Sequence, residues 1–144
     1  MTQEMKQYAY TGNKTVKAMF MTMGEAYERK LLEEGVKPSE DETYKAGYLV
    51  EYKDGYQLWS PAETFEQAYK PSDTALDRLR IEYSELRERF RKLDKHTNIS
   101  FRKLAEKVGV HQASLLGVQC KFMNDYLEVL EARIADMEKD GDEQ

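Results

Sequence analysis

The chain has one cysteine, two histidines and three prolines in 144 residues, and each shortage excludes something. Cys120 alone cannot close an internal disulfide, so a reducing compartment suits the chain. With His96 and His111 as the only imidazoles, there is no His-x-x-x-His pair, and no Cys-x-x-Cys pair, to hold a metal. No Gly-x-x-x-x-Gly-Lys segment is present to cradle phosphates. No apolar run approaches the ~18 residues of a membrane span. The start, MTQEMKQYAY, lacks the basic opening and apolar middle of a signal peptide. The sequon Asn98-Ile99-Ser100 is therefore discounted, and the cytoplasm is the expected location.

Positive charge is also in deficit. Lysine and arginine total 22 against 27 acidic residues, a formal net charge of −5, the wrong balance for a general nucleic-acid binder. Catalysis finds little to work with. A nucleophile needs a base within hydrogen-bond reach and a group to orient that base. Cys120 lies nine residues from His111, on an apolar helical seam where a thiol behaves as a small hydrophobe. No catalytic residue, cofactor or metal is expected.

What is present divides at Lys70-Pro71-Ser72. Before it, residues 1–13 read as a loose arm and 14–71 as a small α+β unit. Lys14 to Phe20 alternates as a strand. Thr22 then caps a helix over 23–34 with Glu25 three residues on, and Gly35 ends it. A polar, turn-rich and mobile loop follows. Tyr48, Val50 and Tyr52 alternate with Leu49 and Glu51. Lys53-Asp54-Gly55 suits a three-residue hairpin loop with glycine left-handed, which sets Val50 opposite Leu58 and Tyr52 opposite Tyr56. Tyr48, Val50, Tyr52, Tyr56 and Leu58 then share the face toward helix 23–34. Leu49, Glu51, Gln57 and Trp59 take the other face. Ser60-Pro61-Ala62-Glu63 reads as a capping box opening a helix to about Tyr69.

Beyond Pro71 the period changes. Leu76, Leu79, Tyr83, Leu86, Phe90 and Leu93 form one seam; Leu116, Cys120, Met123, Leu127, Leu130, Ile134 and Met137 form a second. Ser100 caps a short helix, FRKLAEKV, between them, and the last helix spans about Gln112 to Glu138. The expected fold is thus α+β: a strand, β-hairpin and helix unit, then a long antiparallel, coiled-coil-like helical hairpin over 72–138, then an acidic tail over 139–144.

Three surfaces are candidates. Trp59 with Glu51 and Gln57 is a partner-binding face, since a tryptophan beside polar neighbours is a good anchor. Arg80, Arg87 and Arg91 fall on one helical stripe that could grip phosphates through bidentate contacts. The plain alternative is pairing with Glu128, Glu131 and Asp136 across the hairpin. Leu115, Phe122, Tyr126 and Val129 form a surplus apolar stripe on the last helix, to be covered either by the α+β unit or by another copy of the chain, and a homo-oligomer is expected. Residues 101–120 also fit helix-turn-helix spacing, but no Arg or Lys follows in the would-be recognition helix before Lys121.

Two stretches carry a resemblance. KTVKAMFMTMGEA with GYLVEYKDGYQLWSPAETFEQAY resembles the N-terminal unit of small accessory proteins of tailed bacteriophages. LDRLRIEYSELRERFRKLDK with FMNDYLEVLEARI resembles the helical-hairpin segment of similar proteins, including those of crAss-like phages. The shared motifs are structural, so no site residue is carried over. The resemblance implies a phage product in the host cytoplasm, one that counteracts a host defence system by binding a host protein or sequestering a nucleotide second messenger. The alternatives are a DNA-binding regulator and a virion assembly protein.

Overall fold

The computed structural model describes residues 5–142; the first four residues of the expected arm and the last two of the expected tail lie outside them. Among the described residues the fold is mixed α and β, with a small antiparallel sheet and five helices. It divides into two compact units, residues 1–69 and 70–144.

In the first unit the sheet has the order β1-β2-β3, formed by Lys17–Phe20, Gly47–Glu51 and Gln57–Pro61. The hairpin has the expected register, Val50 opposite Leu58 and Glu51 opposite Gln57. The Tyr52 amide donates to the Tyr56 carbonyl at 2.9 Å. Gly55 takes φ 87°, a conformation that side chains disfavour, and its amide closes the turn onto the Tyr52 carbonyl at 2.9 Å.

Four expectations for this unit need correction. β1 begins at Lys17 rather than Lys14. The helix expected over 23–34 is α1, Met23–Glu28. Its capping box is present, but the chain leaves the helix through a left-handed Lys30, φ 58°. The Lys30 amide bonds the Tyr27 carbonyl at 3.1 Å and the Leu31 amide reaches back to Ala26 at 2.9 Å. These are the two bonds of a Schellman ending, with lysine where glycine is usual.

The loop before β2 is turn-rich, as expected. The Glu42 carboxylate accepts from the Ser39 amide at 3.2 Å and the Ser39 hydroxyl at 3.0 Å, which holds its pKa below the usual carboxylate range. The Thr43 and Lys45 carbonyls accept the Gly24 and Met23 amides at 2.9 and 3.0 Å. Third, Ser60 does not cap a helix. Ser60 and Pro61 stay in β3, opposite Tyr48 and Gly47, and α2 runs over Ala62–Ala68 with no side-chain cap. Fourth, the face bearing Tyr48 meets α2 rather than α1. Tyr48 packs on Phe65 with ring centroids 4.5 Å apart, and its hydroxyl donates to Glu66 at 2.8 Å.

The second unit is helical: α3 Ala75–Thr97, α4 Phe101–Val108 and α5 Val110–Asp142. Thr74 and Asp77 form a reciprocal capping box that starts α3. The core is Leu79, Leu86, Leu127 and Leu130, with Tyr83, Phe90, Met123, Ile134 and Met137 packed around it. Every one of these residues belongs to the two seams read from the sequence. α3 and α5 run antiparallel, since Arg80 meets Glu138 at 2.9 Å while Thr97 meets the Cys120 sulfur at 3.4 Å. They are not joined as a plain hairpin. α4 intervenes, capped by Ser100, with Leu104 buried, and α5 begins two residues before the expected Gln112.

Candidate functional site

The α3 helix carries a cleft of about 820 Å³ lined by Lys70, Ser84, Glu85, Arg87, Glu88, Arg89 and Arg91. Its geometry follows from the chain just before α3. Lys70 lies five residues ahead of the first helical residue, yet its Nζ donates to the Ser84 hydroxyl at 2.9 Å, so the segment turns back along the helix. Arg78 secures that turn by donating to the carbonyls of Ser72 and Asp73 at 3.1 and 3.0 Å. Four cations and two carboxylates line the cleft, a local net charge of +2 on a chain whose overall charge is −5.

Of the three arginines singled out from periodicity, Arg87 and Arg91 line this cleft and Arg80 does not. Arg80 pairs with Glu138, so for that residue the interhelical alternative is correct, although with a different acidic partner. Arg91 makes a bidentate contact to Glu88, Nε to Oε2 at 3.1 Å and Nη2 to Oε1 at 2.8 Å. The hydrogen bond from Arg91 holds the Glu88 carboxyl below its usual range, and Glu88 raises Arg91 in turn. Glu88 thereby fixes the Arg91 fork on the cleft wall. Among the described residues no carboxylate lies within 4.0 Å of the charged nitrogens of Lys70, Arg87 or Arg89. Such an array suits a multiply charged oxyanion, which planar guanidinium groups bind bidentately. Lys70 and Arg89 extend the site beyond the sequence reading. Arg89 flanks the stripe in sequence, but nothing in the sequence places Lys70 beside Ser84.

On the sheet, the structure does bring Trp59, Glu51 and Gln57 together, Gln57 Nε2 donating to Glu51 Oε1 at 3.2 Å. The indole, however, serves the unit's own packing. Trp59 is half-buried, its N–H donates to the Met21 carbonyl at 2.8 Å, and its ring lies against Gly47.

Along α5, Leu115, Phe122 and Val129 are exposed, with Phe122 at 65%. Val118 joins them. Tyr126 is half turned away, its hydroxyl bonded to Glu82 of α3. Residues 101–120 form α4 and the first turns of α5. Gly109 alone separates the two helices, where a DNA-binding helix-turn-helix uses a turn of about three or four residues.

The sequence model of the Sequestin family matches residues 73–136, which covers α3, α4 and most of α5. That is 64 of 144 residues, and the chain is similar to this family over the helical unit alone. No curated protein and no solved structure matches the chain. The family's name denotes sequestration of a molecule, in keeping with a binding role.

Proposed function

We propose that this chain is a non-catalytic sequestering protein whose ligand is a small phosphate-bearing molecule, held in the cleft of α3 by Arg87, Arg89, Arg91 and Lys70. The observation that carries this reading is the concentration of positive charge in a single concave site on an acidic chain. The similarity to Sequestin supports it, because the matched region contains all three arginines. The likeness to phage accessory proteins gives the setting: a phage product, acting in the host cytoplasm, that withdraws a nucleotide signal from a host defence system. Capture of a host protein at Trp59 has less in its favour, since the indole N–H and one ring face are already engaged within the unit.

Isothermal titration calorimetry on the full chain tests the proposal, with inorganic pyrophosphate and a panel of linear and cyclic nucleotides as probes. At least one nucleotide should bind, and Arg87→Ala should weaken it roughly tenfold or more. Affinity should also fall with added salt. If no probe binds, or if Arg87→Ala and Arg89→Ala both leave the affinity unchanged, the cleft is not the site.

A further inference from the structure

The outer face of α5 has no cover within its own unit. Leu115, Val118, Phe122 and Val129 are each about half exposed or more, with Tyr126 at the edge of the same stripe. Helical geometry aligns them: Leu115, Phe122 and Val129 are spaced by seven, and Val118 lies between the first two. The stripe runs ~21 Å along the helix. It presents on the order of 500 Å² of apolar side chain per copy, at the upper end of what single chains leave in water. Doubled, that reaches the ~1,000 Å² at which specific interfaces begin.

We infer that this face is covered by the same face of a second copy, with the two α5 helices antiparallel and a two-fold axis at Phe122. The charges select this direction. Asp125 stands one heptad after Val118, at the position where the stripe would otherwise continue. Parallel pairing would stack Asp125 on the partner's Asp125 across an apolar seam, which is unfavourable. Antiparallel pairing about Phe122 sets Leu115 opposite the partner's Val129. It also brings Lys121, one residue before the axis, within a turn of the partner's Asp125, three residues beyond it. Asp125 then stands opposite the partner's Gln119 rather than the partner's Asp125, with a lysine near it on each side of the axis. An interface of this type is isologous and closed, so association stops at two.

Sedimentation velocity on the full chain across a concentration series should give a species of twice the 16.9 kDa chain mass. Phe122→Glu should weaken association roughly a hundredfold, with helical circular dichroism unchanged because the side chain is exposed. Direction is read by cross-linking in a Cys120→Ala background. Chains carrying Leu115→Cys should join to chains carrying Val129→Cys when the two are mixed, and neither should join to itself. Self-joining of either variant would overturn the antiparallel assignment. A monomer at every concentration, or a dimer indifferent to Phe122→Glu, would overturn the interface itself.

Discussion

Replacing Gly47 by alanine should destabilise the sheet unit selectively, and one chromophore reports the result. A Cβ at Gly47 would lie 2.3 Å from Trp59 Cζ2, 2.4 Å from Cε2 and 2.5 Å from the Ser60 carbonyl oxygen. The oxygen belongs to the strand ladder and the indole is held by the Met21 carbonyl, so neither can yield cheaply. Forcing a methyl group into such a site costs about 1–3 kcal/mol, and displacing the indole adds about 1 kcal/mol for its hydrogen bond. For a unit of this size, each kcal/mol lowers the melting temperature by about 4–8 °C, so the combined loss predicts a drop of roughly 10–25 °C. Trp59 is the only tryptophan in the chain, so its fluorescence follows this unit, while far-ultraviolet circular dichroism follows mainly the long helices. The control is Gly12→Ala, where nothing lies within 4 Å of the added carbon. A Gly47→Ala fluorescence transition within about 2 °C of the unsubstituted protein would refute the packing argument.

Lys30→Gly should stabilise the same unit by about 0.5–1 kcal/mol, because glycine adopts the left-handed conformation at that position without the penalty a side chain incurs; denaturant midpoints followed by tryptophan fluorescence will show it. In the helical unit, Leu130→Ala should cost about 3–4 kcal/mol, since the side chain is fully buried in the α3–α5 core. Val129→Ala, one residue away and exposed, should cost under about 0.5 kcal/mol in the dissociated chain, both read from urea unfolding by circular dichroism. Tyr83 donates its hydroxyl to Glu131 at 2.5 Å, a bond that raises its pKa above the usual tyrosine value. A raised pKa in the folded state means that this contribution is complete below the free tyrosine pKa and is lost as pH rises through the folded value. Melting temperatures of the helical unit should therefore fall more steeply between about pH 9 and about pH 12 for the native chain than for Tyr83→Phe.

Periodicity made the helical unit legible. A seam repeated over six turns leaves little freedom in choosing which face is buried, and Leu79, Leu86, Leu127 and Leu130 fall where the spacing places them. The hairpin was legible for a different reason: Lys53-Asp54-Gly55 admits few turn geometries, and the turn determines the register. Short-range signals misled where a long-range partner overrode them. Ser60-Pro61-Ala62-Glu63 has every local mark of a helix start, yet Ser60 and Pro61 have strand partners in Tyr48 and Gly47, and the ladder keeps them extended. The end of α1 at Lys30 left no trace in the sequence, because a lysine in the left-handed region looks like any other lysine. The cleft was half visible. Arg87 and Arg91 sit one turn apart and announce themselves; Lys70 reaches them only because the chain reverses before α3, which no spacing rule reports.

The single residue between α4 and α5 bears on how α5 settles into place. Gly109, at φ 90°, leaves no slack, and α5 carries two apolar stripes roughly a third of a turn apart. One added or lost residue at this joint would rotate the whole helix by about 100° and offer Phe122 and Val129, in place of Met123 and Leu130, to α3. In that phase Gln119, Arg133 and Asp136 would replace Cys120, Ile134 and Met137 on the seam, so burial along the far half of the helix opposes the slip. Four polar contacts along its length also hold the first phase: Thr97 with Cys120, Tyr126 with Glu82, Tyr83 with Glu131, and Arg80 with Glu138. The joint at Gly109 and these contacts thus fix the same phase of α5, the one at its start and the others along its length.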